Sequence, residues 1–154
     1  MILQDILKNG TVVSGLRPTS KKQALHLVAS RAAAKLGLDT AELHKAILER
    51  ERLGSTGVGG GVGIPHARCT GLERITGFFF RLENGIDFDA IDDAPVDLIF
   101  LLLAPDEDGA THLRALAQVS RVLRRPEMRQ KIRNAPDEEA IMALLCGEPH
   151  SDAA

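Results

Sequence analysis

Tryptophan and tyrosine are absent from this 154-residue chain and phenylalanine occurs only five times, so aromatic platforms for stacking nucleobases are scarce. Two cysteines, Cys69 and Cys146, are too few for a disulfide scaffold and read as thiols of a reducing compartment. The longest apolar run, Leu98 to Ala104, is bounded by Asp97 and Pro105 and falls far short of the roughly 20 residues a membrane span needs. The first ten residues carry Gln4, Asp5 and Lys8 among apolar neighbours and lack a secretory apolar core, which predicts a cytoplasmic protein. An excess of either charge is missing too. Nineteen basic against 21 acidic residues give no general attraction to nucleic acid or anionic lipid. No lysine stands between Lys45 and Lys131, which removes the usual lysine contact to nucleotide phosphates from the middle of the chain.

What remains is the composition of one globular domain, 44% hydrophobic and 26% charged. A chain of this length hides roughly 70% of its unfolded surface, so it needs neither disulfides nor a structural metal. The expectation is a single domain over residues 1–147 with a loose tail at 148–154. Strand and helix patterns alternate, which indicates an α/β fold. Residues 11–16 predict a short strand. Ser20 caps a helix to Leu36 that Gly37 closes, and Asp39 or Thr40 opens a second helix to Leu53, stopped by Gly54. A short strand covers Val62 to Pro65. Residues 74–82 and 96–103 are the strong strands, the second apolar on both faces as in a central strand covered by helices on each side. Helices follow from Ala110 to Arg125, after Pro126 and after Pro136, and the whole reads as a three-layer sandwich.

Chemistry is suggested where helical periodicity is violated. On a helical wheel Leu43, Ala46, Ile47, Leu53 and Gly54 share one arc, and Arg50 falls in its middle. His112 likewise sits among Ala115, Leu116, Val119, Val122 and Leu123 on the apolar face of the later helix. Each has a bland alternative: Arg50 near a helix end can snorkel to solvent, and His112 can be a hydrogen-bonded core histidine. Two such residues at element ends, both facing inward, look aimed at a common point.

A third candidate closes the segment G-S-T-G-V-G-G-G-V-G-I-P-H. Six of the chain's 14 glycines lie within residues 54–63, and His66 follows. Pro65 donates no ladder hydrogen bond, which places His66 at a sheet edge or strand terminus. The backbone N–H groups of Gly57, Gly59, Gly60 and Gly61 are the candidate anion nest, the alternative being a flexible solvent loop before a surface histidine. No register supplies G-x-x-x-x-G-K-[ST] or a helix-opening G-x-G-x-x-G, so ATP or NAD binding is not indicated and no cofactor is implied. A metal site drawn from His66, Cys69 and His112 lacks a second close ligand pair, and a Cys69 nucleophile with His66 as base lacks an orienting third group. The economical reading is a histidine that takes a phosphoryl group covalently, with an arginine and N–H groups stabilising the equatorial oxygens and a second histidine assisting.

The stretch A-I-L-E-R-E-R-L-G-S-T-G-V-G-G-G-V-G-I-P-H-A, residues 46–67, closely resembles the enzyme IIA domains of the mannitol/fructose class of the phosphoenolpyruvate-dependent phosphotransferase system. Its G-S-T-G-V-G form is most similar to the nitrogen-regulatory branch. F-D-A-I-D-D-A-P-V-D-L-I-F-L-L-L-A-P (88–105) and T-H-L-R-A-L-A-Q-V-S-R-V-L (111–123) are similar to two further blocks of that family, in the same order. The resemblance implies an α/β sandwich with a mixed sheet between helices, His66 as the phosphorylated residue, His112 as the second active-site histidine and Arg50 beside them. It also implies a small HPr-type carrier as phosphate donor and regulation of other proteins by phosphorylation state. A sugar-specific component passing phosphate to a separate IIB protein has the same site, and a binding module that kept the fold without phosphotransfer is the reading from another class. The chain departs from several relatives at Gly60, where they carry Asn or Glu, and at Gly63, where Ala is common. Residues 82–113 hold nine acidic side chains and no Lys or Arg, read as solvated loops flanking a strand rather than as a field that selects basic partners.

Overall fold

A computed structural model describes residues 2–107 and 109–147. The tail expected at 148–154 lies outside them. The chain runs α1 (Ile2–Lys8), β1 (Val12–Leu16), α2 (Lys21–Leu36), α3 (Thr40–Arg52), β2 (Gly57–Gly59), β3 (Val62–Gly63), β4 (His66–Cys69), β5 (Thr76–Ile86), β6 (Val96–Pro105), α4 (Gly109–Arg124), α5 (Pro126–Asn134) and α6 (Glu138–Cys146). Helix boundaries follow their local chemistry. The Ser20 and Asp39 side chains accept the Gln23 and Glu42 N–H groups at the starts of α2 and α3, and Pro126 opens α5.

One mixed sheet organises these elements. The strand order is β1-β5-β6-β3-β2, and β4 pairs with β6 beyond the end of β3. β5 and β6 are antiparallel, whereas β1 runs parallel to β5, and β3 and β4 run parallel to β6. The apolar sequence of β6 has its expected consequence: every residue from Leu98 to Ala104 is buried. Phe78 and Phe80 face one layer, with α2 and α3, while Phe79 and Phe100 face the other, with α1, α4, α5 and α6. Burying each such ring stabilises the sandwich by about 1.5–3 kcal/mol. The free edge of β1 is blunted by α6, since Glu138 Oε2 accepts the Ser14 N–H at 2.8 Å.

Three local expectations need correction. The short strand expected over Val62 to Pro65 stops at Gly63 as β3, and pairing to β6 resumes at His66 as a separate strand, β4, because Pro65 interrupts the ladder; β2 folds back on β3 as a small hairpin. α1 was not anticipated from sequence, and it packs on β5 through Ile6. Leu53 is not on a buried arc. The chain leaves α3 at that residue, and Leu53 is 84% exposed; the buried face of α3 is Leu43, Ile47 and Glu51.

Candidate functional site

β4 pairs only with β6 among the described strands, so its outer side is open. Helix α3 from one layer and α4 from the other extend past that edge, and between them lies a hollow of about 450 Å³. Arg50 from α3, His66 and Arg68 from β4 and His112 from α4 line it, with Leu53 and Leu113 on its rim. The three side chains singled out in the sequence are thus brought together. His66 and His112 stand edge to face with ring centroids 5.4 Å apart.

Hydrogen bonding assigns the tautomer of His66. Its Nδ1 lies 2.9 Å from the Ile64 carbonyl oxygen, which can only accept, so Nδ1 carries the proton. Nε2 then holds the lone pair, and it accepts from Arg50 Nε–H at 3.1 Å. Burial first, and the Arg50 guanidinium after it, hold His66 below the ordinary imidazole value of 6.5, against the Ile64 hydrogen bond and the Glu51 charge. The ring is therefore neutral at pH 7, with one nucleophilic nitrogen facing the hollow's cation.

Arg50 is half-buried at the end of α3, and its Nη1 donates to the Gly54 carbonyl at 3.0 Å. That bond fixes one arm of the guanidinium fork while Nε reaches His66. His112 occupies the first turn of α4 and is 8% exposed. Burial, then the charges of His66 and Arg68, keep it below 6.5 as well. Its Nε2 is buried without a hydrogen-bond partner, an arrangement that costs about 1–3 kcal/mol until a partner arrives.

Two residues of this neighbourhood escaped sequence reasoning. Arg68 lies two residues past His66 on the same strand, and the two-residue side-chain period of a strand would have placed it beside the histidine. Glu51, next to Arg50 in sequence, is the charged residue that α3 buries; a wheel that ranks hydrophobicity gives no sign of that.

The glycines are not where the anion nest was expected. Val62 pairs with Leu98 and His66 with Leu102, so the β2–β3 turn lies four residues of strand, roughly 13 Å, from His66. Its backbone is also occupied. Gly57 N–H is donated to Ser55 Oγ, Gly60 N–H to Asp92 Oδ2 at 3.0 Å, and Gly59 pairs with Val62. The carbonyls of Gly60 and Gly61 accept from Arg133 Nη2 and from the Asp97 and Leu98 amides. Gly57, Gly59, Gly60 and Gly61 therefore build a turn clamped to α5, to the 87–95 loop and to the start of β6, and none of them lines the hollow. Gly60, with φ of 68°, and Gly63, the positions expected to differ from relatives, are closely surrounded. A Cβ on Gly60 would stand 2.7 Å from Arg129 Cζ, and one on Gly63 would stand 3.0 Å from the Phe88 ring. Part of the acidic segment serves the same clamp: Asp92 holds Gly60, and Asp97 pairs with Arg133 at 2.8 Å. Cys69 faces the α2–α3 core instead of the hollow, and burial followed by the Asp106 charge pushes its thiol up to about 11, so it is no nucleophile beside His66.

Comparison with known proteins adds lineage to this geometry. The family described as phosphoenolpyruvate-dependent sugar phosphotransferase system, EIIA 2, matches residues 5–147. A nitrogen regulatory protein of Bradyrhizobium diazoefficiens is 42% identical over 153 residues, covering 99% of this chain and 100% of that protein. The crystal structure of nitrogen regulatory protein IIA-Ntr from Neisseria meningitidis superposes with a TM-score of 0.88 at 32% identity, over 94% of this chain and 99% of the other. IIA mannitol from Escherichia coli shares the fold, with a TM-score of 0.73 at 18% identity over 88% and 95% of the two chains.

Proposed function

The chain belongs to the phosphoenolpyruvate-dependent sugar phosphotransferase system EIIA 2 family, and from that membership we propose a histidine phosphocarrier that accepts phosphate on His66 and regulates partner proteins according to phosphorylation state. The observation that carries this reading is the tautomer of His66, with Nδ1–H on the Ile64 carbonyl and the Nε2 lone pair beside Arg50.

The donor is a small HPr-type protein bearing a phosphohistidine. The His66 Nε2 lone pair forms the new N–P bond as the donor's N–P bond breaks, and the donor nitrogen keeps that bonding pair. The ring of His66 becomes cationic in the process, and the Ile64 carbonyl facing Nδ1–H offsets the developing charge. Arg50 Nε–H shifts from Nε2 to an equatorial oxygen, where the guanidinium and the nearby Arg68 stabilise the transferring group electrostatically. A phosphoryl oxygen also supplies the partner that His112 lacks. Leu53 and Leu113, 84% and 71% exposed on opposite sides of the hollow, form an apolar rim on which the donor docks. Once formed, the phosphoryl group puts negative charge between these leucines, which favours or repels partners by charge and desolvation. The encounters take place in the cytoplasm, a reducing compartment with which the two free cysteines are compatible.

Incubation with phosphoenolpyruvate, the general phosphotransferase protein that charges HPr, and HPr should give an acid-labile, base-stable phosphate on this protein. His66→Ala should abolish the label, and its survival would sink the assignment. His112→Ala should retain the fold and slow labelling about 100- to 1,000-fold, the range for loss of one hydrogen-bond donor to a transition state. An unchanged rate would return His112 to the role of a core histidine.

A further inference from the structure

Burial of Glu51 has no explanation in the packing of α3. The residue is 8% exposed beside Leu43 and Ile47, where an apolar side chain would continue the face without the desolvation that a carboxylate suffers. Both its oxygens are engaged. Oε2 accepts the Thr56 N–H at 2.8 Å and the Lys21 ammonium at 2.9 Å, and Oε1 accepts the Thr56 hydroxyl at 2.8 Å. Lys21 is itself placed over the Phe88 ring, 4.7 Å from its centroid. Thr56 is likewise buried, so the carboxylate ties the chain leaving α3 back onto the helix at a fixed point.

That point sits between the two groups that hold the reactive pair. Upstream, residues 53–55 are spanned by the clamp, and the Gly54 carbonyl within them accepts from Arg50 Nη1 at 3.0 Å. Downstream, the Thr56 carbonyl accepts the Ile64 N–H at 3.0 Å, and the carbonyl of the same Ile64 accepts the proton of His66 Nδ1. One buried carboxylate thus anchors two short chains of contacts. The first ends on the arginine fork, and the second ends on the nitrogen that decides which tautomer the nucleophile adopts.

We propose that Glu51, through Thr56 and with Lys21 as its counter-ion, is a positioning residue for phosphotransfer: it holds the Gly54 and Ile64 carbonyls where they aim Arg50 and keep the lone pair of His66 on Nε2. The inference rests on the phosphocarrier reading. It goes beyond it by assigning the orientation of the nucleophile to a cluster that touches neither the phosphate nor the donor. A carboxylate suits the task because a single group accepts from a backbone N–H, a hydroxyl and an ammonium at once, which an amide or an apolar side chain does not. Displacing an attacking atom by about 1 Å is sufficient to slow transfer about 100-fold.

Three variants test it: Glu51→Gln, Thr56→Val and the conservative Thr56→Ser. Nitrogen-15 chemical shifts of the His66 ring report the tautomer without any phosphate present. Single-turnover labelling by phosphoramidate, a small donor that requires no docking protein, reports transfer. Wild type and Thr56→Ser should show the Nδ1–H tautomer and similar rates. Glu51→Gln and Thr56→Val should show mixed tautomers and rates lowered about 10- to 100-fold, with circular dichroism unchanged. If Glu51→Gln does not fold, Thr56→Val carries the test, since it keeps the side-chain shape and removes only the hydroxyl. A folded Thr56→Val protein with the wild-type tautomer and rate overturns the proposal. If wild type accepts no phosphate from either donor, the phosphocarrier reading falls, and the ring shifts still decide the role of Glu51.

Discussion

His66 owes its competence to two bonds that leave its ring neutral and one nitrogen free of a proton. Protonation at Nε2 would remove the lone pair, and burial together with Arg50 holds that event below the ordinary value of 6.5. The rate of phosphate acceptance should therefore stay level from about pH 8 down to about 6.5 and fall only below that, through the lowered pKa. Single-turnover labelling against pH checks it, and a decline that begins well above 6.5 would contradict the neutral-ring assignment. At this scale the sequence was informative wherever a residue broke a pattern. Arg50 and His112 stood out against apolar helix faces, and His66 stood at the end of a strand that Pro65 had to interrupt. Glu51 and Arg68 broke no pattern. Glu51 looked like an ordinary charged residue in a run of charges, E-R-E-R, and only the packing shows that it is buried; Arg68 looked like a surface arginine until the two-residue period of β4 put it beside His66.

The β2–β3 turn shows what an element can conceal. Glycine density announced unusual backbone, and the backbone is unusual: Gly60 and Gly61 have φ values of 68° and 82°. Its use was not legible, because the turn's partners, Asp92, Asp97, Arg129 and Arg133, come from segments 32 to 73 residues away that no local pattern connects to it. A Cβ on Gly61 would collide with Arg133 Nη2 in a conformation that L-residues rarely adopt. Gly61→Ala should accordingly destabilise the fold by about 1–3 kcal/mol, read from the denaturant midpoint at unchanged slope. Because the turn is remote from His66, the folded variant should still take phosphate at close to the wild-type rate. A large loss of transfer with little loss of stability would restore the turn to the site. Strands and helices with strong periodicity, β5, β6 and α2 to α6, were readable within a few residues. The short α1 was not, since seven residues hold too little periodicity and its apolar side chains acquire a direction only from β5.

Across the whole molecule, three histidines share one electrostatic bias. His44, whose ring meets His26 edge to face at 5.1 Å, is kept below 6.5 by burial first and by His26 and Lys22 after it; His66 and His112 are lowered as well. The unfolded chain binds protons at these sites near pH 6.5 while the folded chain still resists them, so the unfolded state gains more from acid. Stability should be level above about pH 6.5 and decrease as pH falls through the lowered values, visible as a lower denaturant midpoint at about pH 5.5 than at about 7.5. Equal midpoints would mean that the folded protein accommodates the imidazolium forms after all. The layered architecture was legible because β6 is apolar on both faces and requires a cover on each, but the place where the layers leave a gap was not. That gap follows from the tandem arrangement of β3 and β4 along one side of β6. A strand held by a single neighbour opens at lower free energy than one held by two, so the segment His66–Cys69 should open more readily than β5 or β6. The nucleophile is then expected to belong to a small exchanging unit beside the doubly paired β5 and β6. Backbone amide hydrogens of that segment will trade with solvent sooner than those of the central ladder, which makes them a native reporter of whatever tightens or loosens the edge, phosphate included.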